Sequence, residues 1–392
     1  MPLSVLHVHS GNLYGGVETS LATLARERAA APGMVSSFAL CFDGRMASEL
    51  RGLDHRPHMM GAARISRPQT IWRARQSLRR LLGDSRFDVV VCHQAWPYAI
   101  FGPEIRRAGL PLVFWMHTAG DGRHWLERWA RRVTPDLAIA NSKFTAPILA
   151  RWFPDARVET IYPAVRLPSS APPDRRQREQ IRQSIDTPLD DLVIVQVGRL
   201  EPWKGNREAL EALARLRDLR GWTYWIIGGP QRASEERHFR ELKSVASRTG
   251  IASRVRFVGA RNDVPALLGA ADIYCQPNTS PEAFGIALVE ALGAGLPIVT
   301  SALGGAVETV DDTCGLLVLP GNIEALAAAL GRLLCEPELR ARLGRAARER
   351  SATLCDPARS MRRTRDVLSS IGGRRSQFAL SAPSALDAPL RP

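Results

Sequence analysis

Lysine is almost missing from this chain. Of 53 basic residues only Lys143, Lys204 and Lys243 are lysines. The rest are arginines, so a lysine at a functional position stands out. The six cysteines (Cys41, Cys92, Cys275, Cys314, Cys335, Cys355) form no short-spaced pair. That pattern excludes a disulfide framework or a cysteine metal site and reads as reduced core residues. No run of about 18 apolar residues occurs, so no spanning helix is expected. The opening MPLSVLHVHS has neither a basic start nor a long apolar core. No signal peptide is expected, and the expected compartment is the cytoplasm, with a peripheral place on the cytoplasmic face of a membrane as its extension. The dinucleotide pattern Gly-x-Gly-x-x-Gly is missing after the first strand, which removes the main support for hydride transfer. No Asp-x-Asp pair of the kind that holds a divalent metal occurs either.

What is present begins with length and charge. A chain of 392 residues is long for one domain, so two are expected. The net charge of +14 points to a polyanionic partner: nucleic acid, anionic lipid or a charged substrate. Two stretches concentrate the charge beside tryptophan, RISRPQTIWRARQSLRR from Arg64 and RHWLERWARR from Arg123. Each could be a solvated arginine face. Together they lean towards a membrane surface or a lipid-linked acceptor.

Short apolar runs alternate with helical patterns. Strands are expected over 5–9, 35–42, 88–92, 112–116 and 137–140, with a first helix over 17–30. The pattern restarts with strands over 192–197, 223–227, 254–258, 272–276 and 297–300. Helices follow over 322–334, 337–349 and 356–371. This predicts an α/β protein of two doubly wound domains facing a cleft, with ligands beyond the carboxyl ends of the strands. A Pro- and Ser-rich stretch, PSSAPPD, and the charged run after it read as a linker. The expected divisions are 1–170, 171–355, a closing helix over 356–371 and a disordered tail over 372–392.

Several residues fall where such a cleft would lie. Gly11, Gly15 and Gly16 follow the first strand, where glycine lets a backbone approach a phosphate or sugar; a plain tight turn explains them equally simply. His117 ends the strand VFWMH, and His93 ends VVVCH. Arg199 and Lys204 follow the first strand of the second half, one able to fork onto a phosphate and the other a point charge. Asn141 or Ser142 is expected to cap a helix.

The densest stretch is NTSPEAFGIALVEALGAGLPIVTS, from Asn278 to Ser301. It reads as loop, buried apolar helix from about Phe284 or Gly285, glycine stop and strand. Glu282 precedes the helix start and Glu290 lies inside the apolar helix. A buried carboxylate is costly unless paired, and a helix N-terminus attracts anions. Two acids bracketing such a terminus suit a ligand with hydroxyls at each end and phosphate between, which describes a sugar nucleotide.

This stretch resembles the signature of the retaining glycosyltransferases of family four: Glu282, Phe284-Gly285, Glu290-Ala291, Gly295 and Pro297 fall in step. Gly198-Arg199-Leu200 with Lys204-Gly205 is similar to the family's diphosphate motif, and Gly15-Gly16-Val17-Glu18 to its glycine loop. The match is tight in the second half and loose in the first. The resemblance implies the GT-B fold and retaining transfer of a sugar from a nucleotide diphosphate sugar, UDP before GDP, to a glycan or lipid-linked hydroxyl. It implies that Arg199 and Lys204 hold the diphosphate with the helix start at Phe284-Gly285. Glu282 would hold sugar hydroxyls, Glu290 the ribose, and Val264 would help frame the base. His117 would touch the sugar near its anomeric carbon, with Gly15 and Gly16 against the donor. No metal or other cofactor would be needed, and nucleic acid is not an expected partner. Other readings are a sugar-nucleotide epimerase or hydrolase on the same fold, and a non-catalytic scaffold binding polyanions through its arginines.

Overall fold

Thirteen short strands build two separate sheets. The computed structural model describes residues 2–166 and 173–372. In the first sheet the strands are β1 (Leu3–His9), β2 (Met34–Leu40), β3 (His58–Met59), β4 (Val89–His93), β5 (Leu112–Met116), β6 (Leu137–Ala140) and β7 (Arg157–Thr160). They lie in the order β3-β2-β1-β4-β5-β6-β7. The second sheet holds β8 (Leu192–Val197), β9 (Trp222–Ile227), β10 (Val255–Gly259), β11 (Ile273–Gln276), β12 (Ile298–Ser301) and β13 (Gly315–Val318). Its order is β10-β9-β8-β11-β12-β13.

The pairs β1–β2, β1–β4, β8–β9 and β8–β11 are all parallel. Parallel strands covered on both faces read as continuous apolar runs, and VVVCH, LVFWM and WTYWII are wholly buried. Each sheet reverses its order once, between β1 and β4 and between β8 and β11. Such reversal points leave a crevice at the strands' carboxyl ends.

Three strands escape the sequence reading, and each has a physical reason. β3 is two exposed residues, β7 is the polar edge RVET, and β13 is a short edge strand. The charged run after the expected linker is not a linker. It forms the helix Arg175–Gln183, because Asp174 caps it by accepting from Gln177 N at 2.8 Å. The same helix sends Arg182, 4% exposed, onto Asp272 at 2.6 Å and the carbonyls of Ala270, Leu189 and Asp191. The expected division near residue 170 and the tail beyond Gly372 lie outside the described residues. The helix Pro357–Gly372 packs Met361, Val367, Leu368 and Ile371 into the core beneath β1 and β4, beside Val5 and Val89.

Asn141 and Ser142 do not open a helix directly. Residues 141–145 are a turn closed by the Ser142 and Thr145 hydroxyls, and the helix begins later, at Ala146. The turn leaves the N–H groups of Lys143 and Phe144 free to donate to the Glu308 carboxylate, at 2.9 and 2.6 Å. Five cysteines are buried, as expected; Cys335, at the end of its helix, is exposed.

Candidate active site

The carboxyl ends of β8 and β11 carry the charged half of the site. Gln196 and Gln276 are amides in otherwise apolar strands, 2% and 1% exposed. Gln196 Nε2 donates to Lys204 O at 2.7 Å, which fixes the backbone of that loop. Gln276 accepts from Tyr274 Oη at 2.7 Å and donates to Asn278 Oδ1 at 3.2 Å and Glu282 Oε2 at 3.4 Å. Neither glutamine is singled out by the sequence reading. The available signal is a polar residue at the exit of a buried strand.

Gly205 joins the two loops. Its φ is +74°, and a Cβ there would lie 1.9 Å from the Pro277 carbonyl oxygen, so only glycine fits. Lys204 Nζ pairs with Glu282 and lies 4.1 Å above the Trp203 ring. Arg199 pairs with Glu235, which is buried, and with Glu201 at 3.3 Å. Each cation is therefore held by a carboxylate before any ligand arrives. The Glu282 backbone is pinned by Gly305 N at 2.7 Å, and a Cβ on Gly305 would sit 2.3 Å from the Ala283 carbonyl oxygen.

The helix after this loop runs Ile286–Ala294, with Gly285 as an N-cap that supplies no side chain. Leu288 N already donates to Gly285 O at 3.0 Å, which leaves the N–H groups of Ile286 and Ala287 to an anion. Phe284 is buried against Tyr162 of the first domain's last segment, rings 5.2 Å apart. Glu290 is half-buried on the helix. Burial pushes its carboxyl up to about 7 from 4.5. Val264 opens the helix Val264–Gly269 beyond β10.

The first domain supplies the opposite wall. Gly15 and Gly16 form the N-terminus of the helix Gly16–Arg26. A Cβ on Gly15 would lie 3.7 Å from Arg199 Cδ, and one on Gly16 would lie 3.4 Å from Ile286 Cδ1. The glycine loop thus rests on Arg199 and on the helix start. Glu18, buried, braces the loop: it accepts from Gly15 N at 2.9 Å and from His9 Nε2 at 2.6 Å. Tyr14 meets the second domain through Gln231, whose side chain accepts from Tyr14 N at 2.9 Å and donates to Tyr14 O at 2.8 Å.

His117 stands half-buried at the end of β5. Its Nε2 is 2.9 Å from His93 Nδ1, and His93 Nε2 is 3.0 Å from His7 Nδ1. Burial drives all three imidazoles to the neutral form: His7 and His117 to about 3, and His93 well below 6.5. His93, the weaker of the two histidine candidates, is thus a buried link between two others.

The structure therefore brings Gly15, Gly16, Arg199, Lys204, Glu282, Phe284 and Gly285 to one cleft. Glu290 lies on the helix that starts there. His117 reaches the same carboxyl-end face from β5, and Val264, at the start of the helix after β10, packs into the apolar cluster that holds Val197, Ala287 and Leu288. Outside the sequence-derived set are Gln196, Gln276, Glu235, Gln231 and the domain-crossing Glu308. Glu308 also accepts from Tyr162 Oη at 2.9 Å.

Residues 177–350 match the family Glycosyl transferases group 1, and residues 14–167 match Glycosyltransferase Family 4. A GDP-mannose-dependent alpha-(1-6)-phosphatidylinositol monomannoside mannosyltransferase of Mycolicibacterium smegmatis is 32% identical over 69% of this chain and 73% of its own length. A D-inositol 3-phosphate glycosyltransferase of Salinispora tropica is 34% identical over 62% of this chain. That match spans 55% of the relative, about half its length. Among solved structures, Anabaena HepE in complex with UDP and glucose overlays with a TM-score of 0.80 at 23% identity, covering 94% of this chain and all of that one. A glycosyltransferase from Rickettsia africae gives 0.80 at 19% identity, covering 94% and 98%. The overlays establish the GT-B arrangement of two Rossmann-like domains. With both halves matched and the mannosyltransferase covered over most of its length, the chain belongs to the group 1, family four glycosyltransferases.

Proposed function

We propose that this protein is a retaining glycosyltransferase that moves a hexose from a nucleoside diphosphate sugar to a hydroxyl of a glycan or lipid-linked acceptor. The observation that carries the reading is the apposition of the Gly15-Gly16 loop to Arg199 and to the helix start at Gly285. In this reading the diphosphate lies between Arg199, Lys204 and the helix N-terminus. As the bond from the anomeric carbon to the phosphate oxygen breaks, negative charge grows on the leaving diphosphate. Arg199, Lys204 and the N–H groups of Ile286 and Ala287 stabilise that charge. Glu282 holds sugar hydroxyls and keeps Lys204 in place. Glu290 accepts from the ribose hydroxyls. His117 contacts the sugar near its anomeric carbon. The acceptor oxygen attacks on the face the phosphate leaves, and the leaving phosphate oxygen takes the acceptor's proton. No metal takes part in this scheme.

The donor is a UDP-sugar or a GDP-sugar. UDP accompanies HepE, and the mannosyltransferase relative is named for GDP-mannose. That relative's phosphatidylinositol acceptor supports a glycolipid acceptor here. The first domain's surface supports a place at the cytoplasmic face of an anionic membrane. The helix Pro68–Asp84 exposes Trp72 with Arg73, Arg79 and Arg80, and the second basic stretch exposes Trp125 with Arg128, Arg131 and Arg132. None of the described helices is long and apolar enough to cross a membrane.

Thermal unfolding with UDP, GDP and ADP tests the donor site. One nucleotide is expected to raise the midpoint in step with the logarithm of its concentration. Glu290→Ala should abolish the shift. No shift with any nucleotide, nor with the matching sugar nucleotides, would overturn the reading.

A further inference from the structure

Three imidazoles joined end to end cannot choose their tautomers independently. His7 lies within β1, His93 ends β4 and His117 follows β5, linked by N···N contacts of 3.0 and 2.9 Å. Each contact needs one proton between its nitrogens. Neutral His93 has a single N–H, so it donates to one neighbour and accepts from the other. The chain therefore has two senses. In one, protons point inward, leaving His117 Nδ1 as a bare lone pair at the cleft and His7 Nε2–H at the sealed end. In the other, protons point outward, leaving a lone pair on His7 Nε2 and an N–H on His117 Nδ1.

The sealed end decides between them. His7 is wholly buried, its ring stacked 5.4 Å from Phe38, and its Nε2 has no hydrogen-bond partner among the described residues. His117 Nδ1 also lacks a protein partner among them, yet it is not among the atoms sealed from solvent. Water or substrate can satisfy either sense at the cleft. At the sealed end nothing can, and an orphaned buried N–H is tolerated less often than an under-used acceptor. The ring planes are held as well. Trp115 stacks on His93 at 5.4 Å and on His117 at 5.7 Å. The other ionisable neighbours are His55, near His7, and His9, whose Nε2 is occupied by Glu18.

We propose that His7 and His93 are positioning residues that fix His117 as an Nδ1–H donor aimed into the cleft, so that it offers the sugar or its leaving oxygen a hydrogen bond and does not serve as a base. The role at the sugar rests on the proposed transferase function; the tautomer does not.

The test separates the two. The full chain, labelled with 15N-histidine, holds eight histidines, and long-range proton–nitrogen correlation at neutral pH reports the tautomer of each. His7, His93 and His117 are expected to carry their proton on Nδ1. A proton on Nε2 of His117, or on both nitrogens, overturns the proposal whether or not the protein transfers sugar. His93→Phe keeps a ring against Trp115 and breaks both links. It is expected to release His117 to the Nε2–H form and to lower kcat about tenfold, the worth of one hydrogen bond, with the donor KM nearly unchanged. An unchanged His117 spectrum in that variant also overturns the proposal. If the variant fails to fold, the wild-type spectrum alone decides.

Discussion

The two walls of the cleft are made of different chemistry. On the second domain, Arg199 and Lys204 are full charges, each held by a carboxylate. On the first, the side chains at the strand exits are neutral imidazoles, braced by one another, and glycine backbone. Under the proposed function the contrast follows from what each wall has to meet. A leaving diphosphate gains charge, and preorganised cations are the strongest answer to it. A sugar is neutral and is placed by hydrogen-bond donors and acceptors of fixed sense. Pairing each cation with Glu235 or Glu282 also keeps two long side chains in position in the empty site, so less ordering is left to the ligand.

The comparison breaks most sharply at Lys204. Lys204→Ala removes a point charge from the diphosphate and leaves Glu282 without its partner. The expected loss in kcat is about 10²- to 10³-fold, against about tenfold for His93→Phe on the neutral wall. The midpoint of unfolding should fall as well, since the pair is largely buried and the change leaves the Glu282 carboxylate unpaired. Steady-state transfer assays beside melting curves check both statements. Equal losses on the two walls would erase the distinction.

Glu290 sharpens the contrast, being the one acid of the charged wall for which no cation partner occurs among the described residues. Its carboxyl, near 7 when folded against 4.5 unfolded, holds a proton more tightly in the folded chain. The stability this contributes is complete below about pH 4.5 and is lost as pH rises through 7. Wild type should therefore lose up to a few kcal/mol relative to Glu290→Gln over that window. Melting curves of the two proteins at pH 5 and pH 8 measure it, and parallel curves would refute it. Ribose hydroxyls donating to the ionised form should make nucleotide binding tighten over the same window.

Much of this half of the site was legible in the sequence, because its signals are local. The helix start at Gly285, the spacing from Glu282 to Glu290, and Arg199 with Lys204 after β8 all lie within short segments whose periodicity and glycines declare them. The two doubly wound sheets followed from the alternation of strands and helices. What stayed hidden is held by contacts remote in sequence. Glu308 reaches Lys143 and Phe144 across some 165 positions, and His7 meets His93 across 86. No periodicity encodes which buried imidazole faces which. Gln196 and Gln276 look like ordinary strand residues until the loops they hold are seen. In the Arg64 stretch the sequence does not separate free charge from paired charge. Part of its charge is structural, since Arg75 and Arg79, with Arg107, converge on buried Glu104.

The smallest expected effect lies where the walls touch directly. Gln231 spans the cleft mouth with two hydrogen bonds to the Tyr14 backbone, and its own N–H donates to Glu235 Oε2 at 2.7 Å. Glu235 in turn holds Arg199. Closure of the glycine loop is thus tied through one carboxylate to Arg199, the cation proposed to hold the diphosphate. Gln231→Ala removes the two exposed side-chain bonds and keeps the backbone N–H. Its cost is about 1 kcal/mol of closure, hence an increase of about fivefold in the donor KM. Because Arg199 and Glu235 stay paired, kcat should hold. Donor titrations of the variant check the split. A fall in kcat with KM unchanged would mean that the contact acts on the charged wall's chemistry and not on the meeting of the two.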